Sequence, residues 1–226
     1  FASEVRALLA TGTAGRKISP AGLAGFLQTG SVVDPDTIVE GVHALPAGFS
    51  ALVTDSGFEP RQYWTALGRT PGKMTFDQAV EELTPILREA VRLRLVSDVP
   101  LGVFLSGGID SSAVAAVAAS QSSERLRTFT VTFDEAAYDE AAFAADVARK
   151  AGTDHSVVHL SAARALAEIG PAFSAQDQPS ADGPNTYVIS KGVREVGLKV
   201  ALSGVGGDEV FAGYGSFRIF ERALAM

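Results

Sequence analysis

Leu101-Gly102-Val103-Phe104-Leu105-Ser106-Gly107-Gly108-Ile109-Asp110-Ser111-Ser112 decides the fold. The apolar run at its start is short and bounded by a glycine turn, so it reads as a buried strand. The alanine-rich stretch that follows, Ala113 to Ser120, reads as a helix. Strand, glycine turn and helix N-terminus, in that order, form a geometry that binds anions. The glycines let backbone N–H groups approach the ligand, and the free N–H groups and positive end of the helix dipole face it. Ser106, Ser111 and Ser112 add hydroxyl donors, and Asp110 offers a carboxylate to a metal. A magnesium-bound phosphate chain is the ligand that suits all of these groups.

The loop is not a Walker A motif, which needs G-x-x-x-x-G-K-[ST]; no lysine is present here. Nor is it a nucleophile elbow, because Phe104 stands where G-x-S-x-G requires glycine. It resembles the S-G-G-x-D-S loop of the PP-loop ATP pyrophosphatases. That resemblance implies cleavage of ATP between its α and β phosphates, with adenylation of a substrate. A serine- and glycine-rich turn without a ligand is the bland alternative, and the strand before it and helix after it argue against that.

Working outward, apolar strand-like runs alternate with helical ones. Strands are expected at 101–105, 128–133, 156–160 and 199–202, and helices at 111–120, 140–151, 162–169 and 185–196. Such alternation predicts an α/β fold with βαβ crossovers, a parallel sheet and helices on both faces. Ligands of such sheets sit at the carboxyl ends of the strands, where Ser106 and Ser203 both fall. Upstream, Thr75-Phe76-Asp77-Gln78 reads as a capping box opening a helix to about Ser97, with Pro85 removing one backbone bond or kinking it. Arg88, Arg92 and Arg94 read as a solvated face of that helix.

The first 66 residues have a different character. Two short helices are expected at 3–9 and 20–27, then a hairpin over 47–58 turning at Asp55-Ser56-Gly57. That is too little to make a full core. Gly68-Arg69-Thr70-Pro71-Gly72-Lys73 reads as a linker. The organisation expected is therefore a small α+β segment over 1–67, a linker over 68–74 and an α/β domain over 75–226.

A second glycine cluster, Ser203-Gly204-Val205-Gly206-Gly207-Asp208-Glu209, repeats the logic of the first. It follows an apolar strand ending at Leu202 and leads into a helix. Two glycine loops at the ends of two parallel strands can surround one nucleotide. Asp110 and Asp208 each come just after their glycines and could hold one Mg²⁺ between phosphate oxygens. The dinucleotide fingerprint would need a glycine where Glu209 stands. Helix capping by Asp208 and Glu209 is compatible with metal binding.

Composition narrows the class. The chain has 226 residues, of which 46% are hydrophobic, enough for a sizeable core. No apolar run approaches the roughly 20 residues of a membrane span. The absence of cysteine excludes disulfides, thiolate metal sites and a cysteine nucleophile within the chain. A net charge of −7 argues against a nucleic-acid partner. A cytoplasmic enzyme acting on small molecules fits better. Phe1 to Val5 has neither a basic n-region nor an initiator Met and does not read as a signal peptide, and the chain reads as a piece cut at both ends. His155 and His159 lie four residues apart in a strand, about 13 Å, too far to share one metal.

Taken together the motifs point further. Ser106-Gly107-Gly108-Ile109-Asp110-Ser111, Thr128 to Val131 with Phe133-Asp134-Glu135 and Tyr138-Asp139-Glu140, and Ala201-Leu202-Ser203-Gly204 through Gly207-Asp208-Glu209-Val210-Phe211 to Gly213-Tyr214 resemble the glutamine-dependent asparagine synthetases. Phe1 to Leu9 and Leu45-Pro46-Ala47-Gly48-Phe49 resemble the tail of that family's N-terminal glutaminase domain, and Asp177-Gln178-Pro179 to Tyr187 also has family character. The resemblance runs the whole length.

It implies a ligase of amidotransferase type working in asparagine biosynthesis. A carboxylate, typically the β-carboxylate of aspartate, attacks the α-phosphorus of Mg·ATP, and pyrophosphate leaves. Ammonia released from glutamine then attacks the acyl carbon, giving the amide and AMP. Carried over by motif, Ser106, Gly107, Gly108, Asp110 and Ser111 cradle the pyrophosphate. Asp110 and Asp208 bind Mg²⁺, and Leu105, Val131, Ser203 and Gly204 border the adenosine. A homodimer is a further expectation.

Three departures accompany the resemblance. The family's glutaminase nucleophile is an N-terminal cysteine, and this chain has none. Family synthetase domains continue further and carry a later lysine used in adenylation, so the chain alone is expected to be inactive or dependent on free ammonia. The family usually has an acidic residue where Val205 stands, which opens the choice of acceptor to other carboxylates. The rivals are a tRNA-modifying PP-loop protein, which would want a basic face or cysteines, and a non-catalytic ATP-binding paralogue.

Overall fold

In the computed structural model, residues 1–66, 72–134 and 140–224 are described. Most of the expected linker, and Glu135, Tyr138 and Asp139 of the stretch that follows Thr128 to Val131 in the family resemblance, lie outside them. The chain divides into two units, and they do not follow chain order: one holds 1–73 together with 167–188, the other 74–166 together with 189–226.

The second unit is built on a four-stranded, all-parallel sheet. Its strands are β3 (Leu101–Phe104), β4 (Arg127–Phe133), β5 (Asp154–Leu160) and β6 (Val200–Leu202), in the order β5-β4-β3-β6. In register, Val103 stands opposite Thr128 on one side and Leu202 on the other. Successive side chains of β3 alternate between two cores. Val103 and Leu105 join Val91 of α3 (Phe76–Arg94), Ala115 and Ala118 of α4 (Ile109–Gln121), and Ala144 and Ala148 of α5 (Ala141–Ala151). Phe104 points the other way, toward Phe129, Val158, Leu198 and Val193, the last from α7 (Gly183–Glu195). The expected α/β sheet with helices on both faces is thus present. The buried alanines explain why the first helix after the loop reads as alanine-rich: a small side chain lets a helix lie close to the sheet.

On the face opposite to Phe129, β4 carries Thr128, Thr130 and Thr132, all buried. Each hydroxyl has a partner, as burial demands. Thr128 Oγ1 is 2.8 Å from Thr153 Oγ1 and 3.0 Å from His155 Nδ1, and Thr132 Oγ1 is 3.3 Å from His159 Nδ1. The two histidines therefore serve the strand pairing, each opposite its threonine.

Local signals set most boundaries. The capping box at α3 is formed, with Gln78 N–H donating to Thr75 Oγ1 at 3.3 Å and Thr75 N–H to Gln78 Oε1 at 2.9 Å. Pro85 lies inside α3 without ending it. A proline in a later helix, Pro171, tells against the sequence reading. A helix stopping at Ile169 was the expectation, yet α6 spans Ala162–Ala175 through Pro171. Ala172, fully buried one residue beyond that proline, gains in packing what the helix loses in backbone bonding.

In the first unit α1 (Val5–Thr11) and α2 (Pro20–Thr29) precede a hairpin of β1 (Phe49–Thr54) and β2 (Gly57–Gln62), paired Phe49 to Gln62 and Thr54 to Gly57. Ser19 caps α2, accepting from Gly22 N–H at 3.1 Å. The N-terminus of α1 is capped from far along the chain: the Asp177 carboxylate accepts from Val5 N–H at 2.8 Å and Arg6 N–H at 2.9 Å. Gln178 Oε1 likewise accepts from Ile38 N–H at 2.8 Å.

Candidate active site

Both glycine loops emerge at the carboxyl ends of adjacent strands, β3 and β6, as the expected topology requires. Beyond Phe104, Leu105 is buried at 1% exposure in the core it shares with α3, α4 and α5. Its N–H donates to Phe129 O at 2.8 Å, and its carbonyl accepts from the Thr130 hydroxyl. The strand end is therefore pinned before the loop begins. Gly107 has φ +86°, a conformation closed to most side chains, and a β-carbon there would come within 2.8 Å of Phe143 Cβ and 3.1 Å of Ala144 N in α5.

Ser111 stitches this loop together. Its Oγ accepts from Ser106 N–H at 3.2 Å, lies 2.9 Å from Ser106 Oγ and 3.2 Å from Gly108 O, and the residue is buried. Ser106 Oγ in turn accepts from Gly108 N–H at 3.3 Å. The first intrahelical bond of α4 runs from Ser112 N–H to Gly108 O. Helix geometry thus leaves the N–H groups of Ile109, Asp110 and Ser111 at the mouth of the loop without an intrahelical acceptor.

The second loop closes on this mouth. Gly204 lies so near that a β-carbon on it would come within 2.6 Å of Ser111 N and 2.9 Å of the Asp110 carbonyl carbon. Gly207 lies against the Asp110 carboxylate, and Gly213 against that of Asp208. After Gly206, at φ +99°, α8 (Gly207–Phe211) starts with Asp208 and Glu209 in its first turn. Tyr214 donates its hydroxyl to Glu209 Oε1 at 2.9 Å. That bond above all, then burial and the negative charges of Glu209, Asp208 and Asp110, hold the phenol above its usual range. Asp110 and Asp208, 98 residues apart in sequence, thus act on one phenol from two loops.

Between the loops lies a cleft of about 880 Å³, lined among others by Phe104, Ser106, Asp110, Val205, Asp208 and Tyr214. That volume is within the range of small-ligand sites. Its described lining has three carboxylates, Asp110, Asp208 and Glu209, and no lysine or arginine. An anionic ligand would be repelled there unless a cation accompanied it. Two carboxylates on facing loops are a hard-oxygen donor set that suits Mg²⁺.

Of the residues expected at the site, Ser106, Gly108, Asp110, Ser111, Ser203, Gly204 and Asp208 line this cleft. Gly107 turns toward α5 instead, and Leu105 gives its side chain to the core. Val131 packs beside Phe129 and Val158 in the opposite core. Leu87, which no motif marks, also lines the cleft, as do Phe211 and the Tyr214 to Glu209 pair. Glu209 and Tyr214 both stand in the stretch that carries the family resemblance, but nothing in that stretch marks them as a bonded pair.

Residues 82–224, well over half of the chain, match the family model described as asparagine synthase. The chain is 32% identical over 208 residues to the amidase chyE of Penicillium rubens, covering 82% of this chain and 31% of that protein. It is 29% identical over 221 residues to asparagine synthetase [glutamine-hydrolyzing] 1 of Bacillus subtilis, covering 96% of this chain and 34% of the relative. It thus spans about a third of the length of these curated relatives. Among solved structures it is similar to the NH3-dependent NAD synthetase of Campylobacter jejuni, with a TM-score of 0.38 at 16% identity over 63% of this chain and 62% of that one. The two loops, the order of their strands and a family match that takes in both loops lead to one conclusion: the chain belongs to the asparagine synthase family.

Proposed function

We propose that this chain carries the ATP-binding and adenylating part of an amide ligase. The observation that carries the reading is that Asp110 and Asp208, from two loops, line one cleft at the N-terminus of α4. In this reading Mg·ATP lies in the cleft. The free N–H groups at the start of α4, with Ser106 and Gly108, receive the pyrophosphate oxygens. Ser111 and Gly107 act through the loop's shape, and the strand ends near Leu105, Val131, Ser203 and Gly204 border the adenosine. Mg²⁺ between Asp110 and Asp208 would neutralise charge on the phosphates.

A carboxylic acid, aspartate in the family's typical reaction, brings one oxygen to the α-phosphorus. The bond from that phosphorus to the bridging oxygen breaks, and pyrophosphate leaves with the electron pair. Oriented N–H groups fixed by the Ser106–Ser111 web stabilise this charge without reorganising. Ammonia then attacks the acyl carbon and AMP leaves. Glutamine as the source of that ammonia, asparagine as the product, a cytoplasmic setting and a homodimer belong to the same reading. So does the division into a glutaminase tail over 1–67, a linker over 68–74 and a synthetase domain over 75–226.

The test is calorimetric titration of the chain with Mg·ATP beside Asp110→Asn. Binding that the substitution weakens about tenfold or more supports the reading. Equal binding by both proteins would place the nucleotide elsewhere and sink it.

A further inference from the structure

His155 lies outside the cleft, yet it is bonded to the end of the helix that supports the loop at 106–108. That helix is α5, whose first-turn residues Phe143 and Ala144 leave no room for a side chain at Gly107. Its last turn is tied down by Thr153, which donates to Ala148 O from its N–H at 3.0 Å and from its hydroxyl at 3.3 Å. Between those ends, Ala144 and Ala148 share one core with Val103 and Leu105, which lead into the loop.

Counting hydrogens fixes the state of His155. The Thr153 hydroxyl gives its one hydrogen to Ala148 O, so in its 2.8 Å contact with Thr128 Oγ1 it accepts. The Thr128 hydrogen is thereby committed, and Thr128 Oγ1 must accept across its 3.0 Å contact with His155 Nδ1. An imidazole protonated on Nδ1 is the only neutral form that completes all three bonds, and the bonding network assigns that tautomer. Nε2 is then bare. It is shielded from solvent and has no hydrogen-bond partner among the described residues. The other tautomer would bury an unpaired N–H there, and the imidazolium an unpaired N–H with a charge.

The surrounding charges give an imidazolium no help. On α5, Asp146 is held by Arg149 and Lys150. Arg127 and Asp154, paired across β4 and β5, alternate to the face opposite Thr128 and His155. Arg125 donates to Gly152 O and Thr153 O, which sets a cation beside Thr153, and its neighbour Glu124 is exposed. Further along β5, His159 is bonded to Asp134. Burial pushes the His155 imidazole below its ordinary value.

We propose that His155 is a positioning residue for the loop at 106–108. As the Nδ1–H tautomer it anchors one end of α5 while Gly107 leans on the other, and a proton on Nε2 releases that anchor and loosens the loop's hold on its anion. Only the identity of that anion, Mg·ATP, rests on the amide-ligase reading. The sign of the pH effect follows. From about 6.5, the ordinary histidine value, down to the lower folded value, a released ring binds a proton that the anchored ring refuses. The anchored state therefore loses stability as pH falls through that window.

The experiment is an NMR pH titration of the isotope-labelled chain, with Mg·ATP calorimetry of the wild type beside His155→Asn. The asparagine amide can donate to Thr128 as Nδ1–H does, and it does not titrate. At neutral pH the ring nitrogens of His155 are expected to report the Nδ1–H tautomer. The amide signals of Gly107 and Ala144 should then follow the titration of that ring. Between about pH 7.5 and 5.5, the Kd for Mg·ATP should rise at least about threefold more in the wild type than in His155→Asn. An Nε2–H ring, or Gly107 and Ala144 amides that ignore its titration, would overturn the proposal whatever the nucleotide does. Equal pH dependence of binding in the two proteins would overturn it too, with the ligase reading intact. Wild type that binds no Mg·ATP at any pH would sink the ligase reading, and the ring and amide signals alone would then decide the role of His155.

Discussion

The Asp110 carboxylate rests against the α-carbon of Gly207, so a side chain at 207 would occupy the space of Asp110 Oδ2 and Cγ. The two residues lie on different loops, which follow adjacent strands. The glycine is therefore a condition for the carboxylate's position. A methyl group there must push Asp110 aside or move α8. Gly207→Ala is expected to weaken Mg·ATP binding about tenfold, or about 1.4 kcal/mol, with the fold retained. Calorimetry beside a circular dichroism spectrum checks both halves.

If Asp110 and Asp208 share one cation, their substitutions cannot be independent. Asp110→Asn and Asp208→Asn are each expected to remove most of the magnesium-dependent part of ATP affinity. The double variant should then be little worse than either, a coupling of about 0.5–3 kcal/mol in the cycle. Titrations with and without Mg²⁺ supply the four corners. Strictly additive losses would mean that the two carboxylates serve separate ligands.

Ser111 looks like a ligand in the sequence and behaves like a brace in the structure. Its hydroxyl serves Ser106 N–H, Ser106 Oγ and Gly108 O within a buried loop. Ser111→Ala leaves Ser106 N–H without its acceptor and should cost about 1–3 kcal/mol of stability. Thermal unfolding of the chain without nucleotide reads this directly. A serine that acted only by touching phosphate would leave that transition unmoved.

How much of this was legible follows from the range of the interactions. The loop at 106–112 and the strands around it could be read because glycine turns and apolar runs are local. The convergence of Asp110 with Asp208 could be inferred from topology, since both loops end parallel strands. What Gly207 touches could not, because close approach has no signature in a motif. Ser111 shows the same limit, since a hydroxyl in a glycine loop reads equally as donor or brace. The end of α6 was misplaced because propensity at Pro171 is outweighed by the burial of Ala172, a tertiary fact. Asp177 is the extreme case: its partners Val5 and Arg6 lie more than 170 residues away.

That long-range cap also makes a pH prediction. Burial pushes the Asp177 carboxyl up, but bonds from the N–H groups of Arg6 and Val5, and then the Arg6 guanidinium, outweigh it and hold it below the usual carboxylate range. A carboxyl whose folded value is depressed stabilises the fold above its unfolded value, near 3.9 for aspartate. The contribution is then lost as pH falls through the lower folded value. Asp177→Ala removes the cap at every pH and should cost about 0.5–2 kcal/mol near neutrality. Because both proteins lack a working cap at low pH, their difference in unfolding free energy should shrink as pH falls from 5 toward 2. Denaturant titrations of the two chains across that range check the slope, and a gap that stays constant would assign the cap's effect to packing and not to its charge.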